Sequence, residues 1–157
     1  YLKDNMIPYA YKEFTEAYTR INRLYDREDK YTLLKSLVET RYRQVYEFSV
    51  PSILRKKYID DGIRYAGEAL ELYPDSGEVN LYLGMFYYKN PDGDDVKAKN
   101  QFLKVIEADT MNTDAFVALA ELYRKHNNRG KARFYAEQAL KVDPYHQRAR
   151  QIYNLTE

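Results

Sequence analysis

Two stretches of this chain repeat one order of small and large apolar residues, and that repetition limits the folds open to it. In residues 113–146 the order is Phe116, Leu119, Ala120, Tyr123, Ala132, Ala139 and Pro144. In residues 77–112 it is Leu83-Gly84, Tyr87, Ala98, Phe102 and Val105. The steps within each half are those of an amphipathic helix, and no stretch alternates as a strand would. Small residues stand where two helices would touch, and large ones fill the space beside them. A single such helix pair cannot bury its apolar side alone, so neighbouring pairs must stack into one core with caps at the ends.

The rest of the chain is helical in period but lacks this order. Ile7, Ala10, Phe14, Ala17, Tyr18, Ile21, Leu24 and Tyr25 predict a first helix, with Pro8 suited to its first turn. The cluster Asp26-Arg27-Glu28-Asp29 reads as the polar turn that closes it. A second helix is expected from about Lys30 to Phe48, on a stripe of Leu33, Leu34, Leu37, Val38, the Arg41 stem, Val45 and Tyr46. Pro51 interrupts the pattern, because proline lacks the N–H and disfavours helical geometry in the residue before it. A third helix follows from Ser52 to Leu72 and stops at Tyr73-Pro74-Asp75-Ser76-Gly77. A last one begins near Tyr145 and turns Ala149, Ile152 and Tyr153 inward.

Composition narrows the chemistry. With no cysteine among 157 residues, disulfides, thiol nucleophiles and cysteine metal sites are excluded, although the compartment stays open. The net charge is +1, and residues 1–76 and 77–157 are each nearly balanced, so overall charge makes no case for nucleic acid or membrane. No apolar run is long enough to span a bilayer. The chain begins at Tyr1, as a processed or excised segment would. Of its 18 Tyr, 14 fall in residues 1–88, which suits either half-buried seams between helices or a protein interface.

Counted back from Pro144, the marked residues of 113–146 take the fourth, seventh, eighth, eleventh, twentieth, twenty-seventh and thirty-second places of a unit of about 34 residues. This resembles the tetratricopeptide repeat. Ala136 stands where that family usually has an aromatic residue, with Tyr135 beside it. The unit 77–112 matches from both ends with a two-residue insertion at Asn90–Asp95, and Thr110 replaces the terminal proline. Residues Ala69–Pro74 resemble Ala139–Pro144, with Gly62 and Tyr65-Ala66 upstream, so 51–76 reads as the second helix of a degenerate repeat. Its first helix has either drifted or been replaced by the helix 30–48. Residues 1–50 then form Tyr-rich capping helices, and 147–157 a C-terminal cap. The fold this implies is all-α, an alpha-alpha superhelix: a right-handed solenoid of antiparallel helix pairs with about eight helices.

The resemblance also implies a concave groove along the first helices. Its places hold Glu78, Leu81, Met85, Tyr88 and Lys89, then Asp114, Val117, Glu121, Arg124 and Lys125, with Arg148 and Gln151 extending the row. An apolar strip with a tyrosyl rim and charges of both signs would fit a peptide or partner helix; equally, other helices of the chain would fill it. The chaperone-tail clamp of this family needs Lys, Asn and Arg where Leu81, Met85, Asp114, Val117 and Ala118 stand, so it is not supported. The expectation is a non-enzymatic scaffold or adaptor without cofactor, binding protein rather than nucleic acid as part of a larger assembly.

Two other readings remain. One is a helical-repeat RNA binder of pentatricopeptide type, drawn from the basic stretch 124–150 with Tyr135, Tyr145 and Tyr153. The other is self-assembly, with the acidic residues 91–121 of one copy against the basic residues 124–150 of another. Asn90, Asp92 and Asp94 open like a calcium loop, but Asp95 and Gln101 occupy the places of its glycine and bidentate acid. His126 and His146 stand apart in polar turns, and Asp60 and Asp61 point away from one another on a helix. No phosphate loop or nucleophile elbow is present.

Overall fold

The structure is a computed structural model that describes residues 7–21, 26–47 and 50–156. Eight α-helices account for the regular structure of these residues: α1 (Ile7–Tyr18), α2 (Arg27–Tyr46), α3 (Ser52–Leu72), α4 (Gly77–Lys89), α5 (Asp95–Ala108), α6 (Thr113–Lys125), α7 (Arg129–Val142) and α8 (Gln147–Leu155). Leu24, Tyr25 and Phe48, expected on the first two helices, lie outside the described residues. The expected turn Asp26–Asp29 is a helix start instead. The Asp26 side chain accepts from the Glu28 N–H, and Glu28 and Asp29 occupy the first turn of α2. Acidic residues there complement the helix dipole, which is why the cluster opens a helix rather than ending one.

The helices pack as antiparallel pairs, α2 with α3, α4 with α5 and α6 with α7, while α1 covers α2 and α8 covers α6 and α7. The partner of α3 is therefore α2. The later first helices share one device at their N-termini. Ser76, Asn112 and His146 accept a backbone N–H of α4, α6 and α8 respectively. Asp94 and Asn128 do the same for α5 and α7. Such caps satisfy donors that a helix start leaves without a partner.

The core runs through the stack. Leu34, Leu37, Val38, Ile59, Ala66, Val79 and Phe86 form its N-terminal part, and Phe102, Leu119, Ala132, Ala139 and Ile152 carry it onward. Two aromatic rings lie where the helices come closest. A Cβ added at Gly62 would sit 2.4 Å from Cζ of Phe86, and one at Gly84 would sit 2.5 Å from Cε1 of Phe102. The absent side chains are what let these rings lie on the helix backbone.

At the N-terminal end, where the repeat order fails, polar groups join the helices. The buried Arg41 guanidinium donates to the Tyr11 hydroxyl on α1, to Gln44 on α2 and to Asp61 on α3, and lies 3.6 and 4.2 Å from the Tyr11 and Tyr58 ring centroids. Tyr18 donates to Glu68 at 2.8 Å and packs edge-on to Tyr65. Eight tyrosines from Tyr11 to Tyr87 are half-buried against this core, as seam residues.

The glycines separate two effects of one substitution. Gly67 is exposed in α3 with nothing within 4 Å of an added Cβ. Gly67→Ala is expected to stabilise the fold by about 1 kcal/mol through helix propensity. Gly62→Ala gains the same propensity but drives into the buried Phe86 ring, and is expected to destabilise by about 1–3 kcal/mol. Urea denaturation of the two variants reads both signs.

Candidate binding cleft

The first helices of the pairs stand side by side, and a cleft of about 460 Å³ opens along them. α4 contributes Glu78, Leu81, Tyr82 and Met85, and α6 contributes Asp114, Val117, Ala118 and Glu121. Tyr42 of α2 closes one end, and His146 and Arg148 at the start of α8 close the other. Seven residues of the expected groove row thus line one cavity: Glu78, Leu81, Met85, Asp114, Val117, Glu121 and Arg148. Tyr88, Lys89, Arg124, Lys125 and Gln151 do not.

The last turns of α4 and α6 carry four of these beyond the cleft's rim. The Lys125 ammonium is 2.7 Å from Asp95 at the start of α5, and 5.4 Å from the Tyr88 ring. His126 Nε2 is 2.8 Å from the same carboxylate. Burial alone would raise the Asp95 carboxyl, but hydrogen bonds from Lys125 and His126 outweigh it and hold the group below its usual range.

Four lining residues lay outside the expected row: Tyr42, Tyr82, Ala118 and His146. Tyr42 comes from a helix with no repeat motif to place it. Its ring stacks on Tyr46 at 4.4 Å and meets Tyr82 at 4.7 Å. The Tyr46 hydroxyl donates to the Met85 carbonyl at 2.8 Å. Helix α2 therefore covers the N-terminal end of the apolar strip and leaves the stretch from Leu81 to Val117 open.

The cleft's charges are partly used up within the chain. Lys35 pairs with Glu78 at 2.5 Å, and Arg148 donates to Glu121. Asp114 makes no ion pair or hydrogen bond among the described residues. Its carboxylate adds to burial in pushing the Tyr42 hydroxyl above the ordinary tyrosine value. Burial, then Glu78, do the same for Tyr82. Such a surface can hold a chain with an apolar stripe and a cation. Among the described residues no group of three His, Asp or Glu side chains converges to hold a metal, and no helix is long and apolar enough to cross a membrane.

No family model matches the sequence. No curated protein matches it either. Solved structures do match the fold. A thermophilic TPR protein of Thermus thermophilus superposes with a TM-score of 0.70 at 20% identity, over 97% of this chain and 73% of that one. YrrB, described as a TPR protein with an unusual peptide-binding site, gives 0.59 at 21% identity over 82% of this chain and 66% of its own. The O-GlcNAc transferase of Thermobaculum terrenum gives 0.61 at 15% identity over 78% of this chain, which spans only 22% of the enzyme. The fold is thus the helical solenoid of tetratricopeptide-repeat proteins.

Several tyrosines in and beside the cleft resist ionisation because burial disfavours the phenolate: Tyr42, Tyr46, Tyr82 and Tyr88, with Tyr65 pushed up to about 12. Their folded values lie above the unfolded value of about 10, so the stability they contribute is complete below pH ~10 and is lost as pH rises through the raised folded values. Alkaline titration should show tyrosinate absorbance and loss of helical circular dichroism rising together above pH ~10. Gradual ionisation of all tyrosines at one ordinary value, with helicity intact, would contradict the burial.

Proposed function

We propose that the chain is a non-enzymatic protein-interaction module, a scaffold or adaptor whose concave cleft takes a peptide or helix of a partner within a larger assembly. The open stretch of the cleft carries this reading. It combines an apolar floor of Leu81, Met85 and Val117, a tyrosyl wall of Tyr42 and Tyr82, and one acid, Asp114, without a partner among the described residues. Methionine adapts to irregular surfaces and tyrosine anchors them. Glu78, Glu121 and Arg148 form the polar rim, and Tyr88, Arg124 and Lys125 extend the contact past the end of the cleft for a longer partner. YrrB, with its peptide-binding site, lends the reading support by fold. Three acids in the cleft disfavour a phosphate backbone, which is why protein is preferred to RNA as the occupant.

Paired affinity purification from the source cell tests this, with the native chain as one bait and a Met85→Glu, Val117→Lys variant as the other, once circular dichroism shows the variant folded. A partner captured by the native bait and reduced at least about tenfold on the variant is the expected result. Equal capture by both would move binding away from the cleft.

A further inference from the structure

The chain's near-neutral net charge conceals a division between the two edges of the solenoid. Antiparallel pairing places the turns α2–α3, α4–α5 and α6–α7 on one edge and the turns α3–α4, α5–α6 and α7–α8 on the other. Around the first set, residues 47, 50–57, 89–99 and 124–131 hold ten Lys and Arg against three Asp and Glu47. Around the second set, leaving out the residues that line the cleft, residues 70–77, 104–113 and 140–147 hold five acids against two Lys. One edge is therefore strongly basic and the other acidic.

Contacts show that the basic edge is continuous. Lys56 at the start of α3 reaches Asp92 in the α4–α5 turn at 2.7 Å, and Lys125 at the end of α6 reaches Asp95 at the start of α5 at 2.7 Å. All three Asp of this edge are tied to lysines, since Asp94 lies 3.0 Å from Lys97. Lys57 and Arg129 are exposed and make no ion pair among the described residues.

At the starts of α3 and α7 and the ends of α3 and α5 these charges oppose the helix dipoles, whereas on α4 and α6 they agree with them: Glu78 and Asp114 stand in first turns, and Lys89, Arg124 and Lys125 in last turns. The first turns of α3 and α7 hold no acid, and bases follow at Arg55-Lys56-Lys57 and stand at Arg129 and Lys131. The last turns of α3 and α5 hold no base, and Glu71 and Glu107 stand near their ends. Cations at a helix start and anions at its end weaken the helix. Dipole stabilisation of the single chain therefore accounts for the charges of α4 and α6, but not for those at the starts of α3 and α7 or the ends of α3 and α5.

Exposed apolar side chains occur on both edges. Ile53 is 82% and Val96 64% exposed on the basic edge; Met111 is 65% and Tyr145 83% exposed on the acidic edge. Met111 and Tyr145 hold the same place in successive turns, each directly before the N-cap residue of the next helix.

We propose that the basic edge of one copy docks against the acidic edge of a second copy, with Ile53 and Val96 meeting the Met111 and Tyr145 row inside a ring of opposite charges. A second copy is the occupant because one chain carries both surfaces, with opposite charge, exposed apolar residues on each, and turns that recur once per helix pair. The contact joins unlike surfaces, so it is head-to-tail and adds copies one after another into a ring or a filament rather than stopping at a two-fold dimer. It leaves the concave cleft open, so it stands or falls apart from the function proposed above.

Sedimentation velocity of the whole chain tests this with two variants. Lys57→Glu with Arg129→Glu removes the basic edge, and Glu71→Lys with Glu107→Lys removes the acidic one. Arg129→Glu, Glu71→Lys and Glu107→Lys bring their helix ends into line with the dipole, and circular dichroism must show each variant as helical as the native chain before its sedimentation is read. The native chain is expected to grow in mass with concentration at low salt and to return to monomer at 1 M salt, where the screening length is about 3 Å. Each variant alone should associate at least about tenfold more weakly. An equimolar mixture should stop at a one-to-one dimer, because each variant retains the edge that the other lacks. A native chain that stays monomeric at low salt overturns the proposal. So does assembly that persists in either variant, or a mixture that fails to pair. A native monomer that sediments with vesicles of equimolar phosphatidylglycerol and phosphatidylcholine also overturns it, and would assign the basic edge to an anionic lipid surface.

Discussion

The stacking of this solenoid depends on two rings lying against bare helix backbone. Phe86 of α4 rests on Gly62 of α3, and Phe102 of α5 rests on Gly84 of α4. The first contact joins one helix pair to the next, and the second closes a pair internally. Both rings are fully buried. Core packing in proteins is close to that of organic crystals, so the absence of a methyl group at two positions fixes how near the helices lie and where their outer faces point.

The N-terminal third is held by other means. It has no small-residue order, and its helices meet through tyrosine hydroxyls, stacked rings and the buried Arg41. A charge this deep is tolerable only when it is answered, and Asp61 with the Tyr11 and Tyr58 faces answers it, although the buried Nε donor has no hydrogen-bond partner among the described residues. Breaking such a cluster from one side leaves a buried charge, so the polar joint makes the docking of α1 specific as well as attractive. The same tyrosine-rich α2 supplies the wall of the cleft. One helix thus joins the polar cluster of the N-terminal third and walls the cleft.

Much of this was legible in the sequence where a residue's spacing dictated its place. Gly62, Gly84, Ala98, Ala120, Ala132 and Ala139 marked the close contacts, and the third helix was read to its end residues at Ser52 and Leu72. The row from Glu78 to Glu121 was implied by the resemblance to the repeat family, whose groove places fall on these residues. Tyr42 and Tyr82 were not placed in the cleft, because α2 carries no motif that sets its register against α4. Asp26 was read as the end of one helix when it caps the next, since the same acidic cluster suits a turn and a first helical turn. The charge division was hidden for a different reason. Blocks counted along the chain mix residues from both edges, and only pairing the helices sorts alternate turns to opposite sides.

The central claim is that the Phe86 and Phe102 contacts are the most stable part of the fold and that order spreads outward from them. Native-state hydrogen exchange on the unmodified chain measures this most directly, because each amide reports the free energy of the opening that exposes it. The slowest exchange is expected in the middle turns of α3, α4 and α5 around Gly62 and Gly84, with α1 and α8 exchanging earlier. Slowest exchange in α1 or α8, or uniform protection from α1 to α8, would contradict the claim.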